Sequence, residues 1–174
     1  VHRDSDINAL VAYWGKGGRE RQVRPFLESL SRVPGGSLVG VGQLMPQFAR
    51  ARIHTFPQLE GATPNGPLDC HWTSFNFWNR TPDDQFCSAA YVGKELASSY
   101  HRIDKPTQLG DIVFLVAANG DGIHSATFVA DDVVFTKNGS NMAAPWIFMK
   151  LPDLLTYYET NGAVQTIFFR KNGL

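Results

Sequence analysis

Pro106-Thr107-Gln108-Leu109-Gly110-Asp111-Ile112-Val113-Phe114-Leu115-Val116 is the stretch where the chain changes character. Residues 106–111 carry turn-forming Pro, Gly and Asp and reset the chain. The run over 112–116 is short, nearly continuous and apolar, the pattern of a buried strand. Asn119-Gly120-Asp121-Gly122 is a strong turn signal. After it, residues 124–130 alternate as a second strand, and Asp131-Asp132 turns the chain into a third over 133–137. Thr166-Ile167-Phe168-Phe169 reads as one more strand near the end.

Upstream the periodicity is helical. Ile7, Leu10, Val11 and Trp14 recur at i, i+3, i+4, i+7 behind a cap at Asp4 or Ser5, and Gly15, Gly17 and Gly18 stop the helix. Val23, Phe26, Leu27 and Leu30 repeat the spacing up to Pro34-Gly35-Gly36, and Leu44, Met45 and Phe48 predict a third short helix before Arg50 and Arg52. A turn-rich segment, Gly61-Ala62-Thr63-Pro64-Asn65-Gly66-Pro67-Leu68, leads into Asp69-Cys70-His71-Trp72, and Trp72, Phe75, Phe77 and Trp78 continue as an apolar segment of helical length. After a polar break over 79–84, a further helix is expected over 86–100. Helices first and an antiparallel meander afterwards make an α+β domain. One domain over 1–174 is expected, with a helical N-terminal part over 1–54 and the core over 55–174.

The totals narrow the function. The chain has 174 residues, enough for one sizeable core, and 43% hydrophobic content with 18% charged content is ordinary for a globular protein. Sixteen basic residues balance sixteen acidic ones, so nothing steers the chain toward nucleic acid. No apolar run approaches the ~20 residues of a membrane span. No signal peptide stands at the start, and a first residue of Val1 suggests a processed form. Cys70 and Cys87 are expected to be two unrelated thiols, one reactive and one buried, rather than a disulfide.

Cys70 carries the chemistry. A cysteine at a helix N-terminus feels the positive end of the macrodipole, which favours the thiolate, the nucleophilic form. Such a nucleophile needs an imidazole as base, and the imidazole needs a polar partner that fixes its tautomer. His71 adjoins Cys70, but neighbours on a helix point about 100° apart, which places it poorly as a base. His124 opens a strand straight after a tight turn, so a helix carrying Cys70 can pack its N-terminus against that strand. Asp69 either caps the helix or meets a substrate amine. Asp69, Cys70, His71 and His124 could also be read as a metal set, but adjacent ligands are poor spacing for zinc and no metal or other cofactor is expected.

Gly61-x-Thr63-Pro64-Asn65-Gly66-x-x-Asp69-Cys70 resembles the nucleophile segment of NlpC-type, papain-like cysteine hydrolases. Leu109-Gly110-Asp111-Ile112-Val113-Phe114 is similar to that family's strand beginning with Gly-Asp, and His124-Ser125-Ala126-Thr127-Phe128-Val129 resembles its base-bearing strand. The three blocks stand in the family's order over roughly residues 55–150, with 54 residues between Cys70 and His124. The resemblance implies a papain-like, NlpC-like fold, with the nucleophile helix packed on an antiparallel sheet and residues 55–174 as the hydrolase core. It implies a thiol peptidase or amidase with Cys70 as nucleophile and His124 as base. It also implies a third polar residue on the strand after His124. Thr136 and Asn138 share a face there while Lys137 points away. Asn138 is chosen for its reach and amide oxygen, with Thr136 in reserve.

Two positions depart from the family pattern. Where many of its members carry a tyrosine upstream of the cysteine, this chain has Gln58, whose amide could donate to an oxyanion. Small residues commonly follow the family's cysteine, but here His71 and Trp72 would reshape the cleft and contact substrate. The expected substrate is a peptide or amide of the bacterial cell wall, met outside the cytoplasm in the periplasm or extracellular space. The alternative is a catalytically inactive module that binds a cell-wall or peptide ligand.

Overall fold

The computed structural model describes residues 1–57, 63–160 and 162–174, so Gln58 lies outside the described residues. Four helices come first: α1 (Ile7–Trp14), α2 (Glu20–Ser31), α3 (Val41–Leu44) and α4 (Gln47–Arg52). The cap of α1 is Asp6, whose Oδ1 accepts the Ala9 N–H at 2.9 Å, just past the expected Asp4 or Ser5. The single helix expected around Leu44–Phe48 is two, because Pro46 has no N–H to continue a helical ladder and Met45 is extended.

Next come α5 (Cys70–Phe75), a 3-10 turn (Asp84–Cys87) and α6 (Ala89–Ser99). The helix expected over 86–100 is broken at Ser88, which is extended and caps α6 by accepting the Tyr91 N–H. The strands are β1 (Tyr100–Ile103), β2 (Ile112–Ala117), β3 (Gly122–Ala130), β4 (Val133–Lys137), β5 (Trp146–Lys150) and β6 (Val164–Lys171), with α7 (Leu151–Glu159) before β6. They form one antiparallel sheet in the order β1-β6-β2-β3-β4-β5. The α+β class is thus shown, with β1, β5 and α7 added to what the sequence pattern announces.

Alternation along the strands divides the core in two. Ile112 and Phe135 face the helices, joining Met45, Phe48, Trp72, Phe75 and Phe77 in one apolar cluster. Val113, Leu115, Ala126 and Val134 face the other way and are covered by Leu154 of α7. The N-terminal helices belong to the same packed body as the sheet, since Tyr13 donates its hydroxyl to the Val129 carbonyl of β3 at 2.7 Å.

The Gly-Asp pair before β2 is structural. Gly110 has φ +93°, and a Cβ there would lie 2.3 Å from the Trp78 ring. Asp111, 2% exposed, accepts Arg170 Nε at 2.8 Å and Nη2 at 2.7 Å, and takes the backbone N–H groups of Thr107 and Gln108 at 2.8 and 2.9 Å. One carboxylate therefore ties the turn before β2 to strand β6. Asp111→Ala takes the carboxylate from a half-buried guanidinium, which keeps only its bond to Thr107 Oγ1, leaves two backbone N–H groups unpaired, and should lower unfolding free energy by about 1–3 kcal/mol. Urea denaturation of the variant measures it, and a loss under about 0.5 kcal/mol, the range of an ordinary surface substitution, would show that the latch carries no stability.

Candidate functional site around Cys70 and His124

Asp69 caps α5. It is extended, and its Oδ1 accepts the Trp72 N–H at 2.9 Å. The cap sets Cys70 as the first helical residue, against β3. There Ser125 Oγ donates to the Cys70 carbonyl at 3.2 Å and lies 3.0 Å from His71 Nδ1. The helix reaches this position because the β3–β4 ladder is incomplete. It pairs Thr127 with Phe135 and continues toward the Ala130–Val133 turn, while His124, Ser125 and Ala126 pair with β2 alone. The Ser125 N–H is one of three backbone donors, with those of His71 and Cys70 itself, that favour a negative sulfur.

Burial outweighs those donors. Cys70 is 3% exposed, and burial together with the Asp69 charge pushes its pKa up to about 12. The expected thiolate is corrected on this point: at neutral pH the resting group is a thiol. Helix α5 has only six residues, and its dipole does not offset desolvation of the charge. Both cysteines are free, and the one expected to be reactive is the buried one; Cys87, half-buried, lies 3.5 Å from Thr63 Oγ1.

His124 is fully buried and stacks on Tyr158 of α7 with ring centroids 4.3 Å apart and an interplanar angle of 27°. Burial, then the His71 charge, lower its pKa to about 3, so the ring is neutral. Its Nε2 lies 3.0 Å from Thr136 Oγ1, and its Nδ1 has no hydrogen-bond partner among the described residues. No hydrogen bond joins Cys70 Sγ to either ring nitrogen in this conformation. When Thr136 accepts from Nε2–H, the free lone pair is on Nδ1.

The other sequence-chosen residues separate. Asn138 does not back His124: β4 ends at Lys137, and beyond it the Asn138 amide turns to Met149 Sδ at 3.7 Å. Trp72 is 2% exposed and donates its indole N–H to Asp84 at 3.0 Å, so it packs the core and offers substrate no face. His71 stacks on Phe114 with centroids 5.3 Å apart, and burial lowers its pKa against the opposing pull of Asp69. Lys137 does not point to solvent; it is fully buried and donates to the carbonyls of Gly139 and Asn141 at 2.7 and 2.9 Å. Among the described residues no His, Cys, Asp and Glu side chains form a metal-binding group.

Sequence reasoning missed Ser125 and Tyr158, and set Lys137 aside as pointing away from the site. Ser125 stands beside a residue already singled out and could have been found as its strand neighbour. Tyr158 carried no signal, because α7 itself was not anticipated. Comparison with protein-family models, with curated proteins and with solved structures finds no match to the chain.

The neutral imidazole makes stability pH-dependent. His124 has a folded pKa of about 3, below the ordinary 6.5, so only the unfolded chain takes up its proton as pH falls through that interval. Its contribution is present above pH 6.5 and is lost toward pH 3, at up to about 1.4 kcal/mol per pH unit. His124→Gln should flatten the fall in urea midpoint between pH 7 and pH 4; identical slopes in both proteins would contradict a buried neutral ring.

Proposed function

We propose that this chain is a thiol hydrolase that cleaves an amide or peptide bond, with Cys70 as nucleophile, His124 as base and then acid, and Thr136 holding the ring. The observation that carries the reading is the Thr136–His124 contact. It occupies Nε2 and leaves Nδ1 free, on the residue next to the Ser125 backbone that faces the Cys70 sulfur. A papain-like, NlpC-like arrangement of helix and sheet is the finer fold reading that goes with it, and a peptide of the bacterial cell wall, met outside the cytoplasm, is the proposed substrate.

A neutral thiol and a neutral imidazole set the order of events. Proton transfer from Sγ to Nδ1 accompanies formation of the carbon–sulfur bond, since neither group ionises alone in a dry site. The Cys70 backbone N–H at the start of α5, which faces the sulfur in the resting chain, would turn to the oxyanion. The imidazolium then protonates the leaving amine, and water hydrolyses the thioester to regenerate the thiol. Both reacting groups are buried in the resting chain, so substrate reaches them only after the site opens, and Tyr158, stacked on His124, is the group proposed to move.

A second reading is a ligand-binding module without catalysis, favoured by the missing Cys70–His124 hydrogen bond and the raised thiol pKa. Incubation with a muropeptide panel, read by mass spectrometry, separates the two. On the hydrolase reading product forms, Cys70→Ala abolishes it, and Thr136→Val lowers kcat by about ten- to a hundredfold with little change in KM. Muropeptide binding that survives Cys70→Ser, with no product from any panel member, would favour the binding module.

In the free protein Cys70 should react with iodoacetamide at least about tenfold more slowly than Cys87 at pH 7, as its burial and high pKa require. Tyr158→Ala should speed that labelling. Equal rates for the two cysteines would overturn the closed resting site.

A further inference from the structure

A second concavity, of about 640 Å3, shares no residue with the Cys70–His124 site. It opens between the glycine turn before α2, the α3–α4 segment and the chain just after α5, and its size is that of pockets that hold small organic ligands. Three guanidiniums line it, those of Arg19, Arg50 and Arg80, with no Asp or Glu among the lining residues. In a chain with sixteen basic and sixteen acidic residues, that imbalance is local.

The three arginines differ in role. Arg19 is fixed: it donates to the carbonyls of Lys16 at 3.1 Å, Leu44 at 2.8 Å and Trp14, and lies over the Trp78 ring at 5.8 Å. Three of its five N–H groups are engaged, and its charge stays in place. Burial, and then the like charge of Arg50, lower its pKa to about 10, with Glu20 acting the other way, so it is still a cation at neutral pH. Arg50 and Arg80 are exposed, and among the described residues no carboxylate lies within ion-pair distance of either. Their forked donors match the oxygens of phosphate or carboxylate in pairs.

The backbone adds to the same field. The twelve-residue helix α2 begins beside the concavity, with Glu20 in its first turn offsetting part of the positive end of its dipole. Gly18, with φ +74° and nothing within 4 Å of a would-be Cβ, leaves the chain open to close approach by an anion. Gln22 and Gln43 supply neutral amides at the wall. Even with Glu20 acting on Arg19, Arg50 and Arg80 leave two charges around one space, more than a single carboxylate neutralises.

We propose that this concavity is a receptor for a small organic phosphate carrying two or more negative charges, gripped by Arg50 and Arg80 over the fixed charge of Arg19. The uncharged part of the ligand lies toward Phe26 and Trp78. This site is independent of the thiol chemistry and stands whether or not Cys70 is catalytic.

Titration of the whole chain with inorganic pyrophosphate tests the proposal, by calorimetry and by the Trp78 indole 1H–15N resonance. Binding tighter than about 1 mM is expected at low salt, weakening as ionic strength rises. Arg50→Ala and Arg80→Ala should each weaken it by about tenfold, and the double variant should abolish it. Arg102→Ala, on β1 and outside the concavity, should leave it unchanged. Adenosine diphosphate binding more tightly than pyrophosphate would identify a nucleotide as the source of the phosphate; the reverse would point to a phosphate without a base. Absence of binding up to about 5 mM, equal affinity in the double variant with its far-UV spectrum intact, or citrate binding as well as pyrophosphate would each overturn the proposal.

Discussion

The hydroxyl of Ser125 is the interaction on which the Cys70–His124 site depends. It donates to the carbonyl of Cys70 and meets the ring of His71, so it holds the first two residues of α5 against β3. A six-residue helix has little cooperative stability of its own and keeps its place only through such tertiary contacts. Asp69 fixes its start, and Trp146 donates its indole N–H to Thr73 at 2.9 Å to fix its body. The clasp is available because β3 leaves its ladder with β4 before Ser125. A complete ladder would spend the Ser125 N–H on β4 and close the place where Cys70 now sits.

Position against the strand also decides the electrostatics. A rise in thiol pKa from 9.0 to about 12 corresponds to about 4 kcal/mol against ionisation. The end of a helix contributes about 0.3–1 kcal/mol in the other direction. Burial wins, and by the same argument His124 is neutral a short distance along the strand. Two neutral groups are the resting state because burial is the largest influence on both, even with the Lys137 ammonium close enough to feel the Cys70 charge.

The α+β layout was legible because its signals are local. Periods of 3.6 gave α1 and α2, the apolar run over 112–116 gave β2, and the turn residues after it placed β3 and β4. The parts that escaped are those whose signals are tertiary. Strand β1 is four residues long and carries exposed His101 and Arg102, so only its pairing with β6 makes it a strand. Helix α7 mixes exposed Tyr157 with buried Leu154, a pattern that becomes meaningful once the second face of the sheet needs covering. Choosing Asn138 over Thr136 failed on where β4 ends, and alternation within a strand says nothing about a boundary one residue away. Expecting a thiolate required knowing how much water reaches Cys70, which no local pattern encodes.

Helix α7 therefore has a second consequence beyond covering the sheet. Its Tyr158 ring is the group stacked on His124, and burial is the largest influence on that imidazole. Moving the ring away admits water to His124 and lifts its pKa toward the ordinary range, which makes it a stronger base. On the hydrolase reading, the motion that exposes Cys70 is thus the motion that strengthens its base, and a closed resting site and a competent open one follow from the same stack. The cationic concavity obeys the opposite rule. The guanidiniums of Arg50 and Arg80 are exposed in the resting chain, so its charges need no opening step to meet an anion from solution.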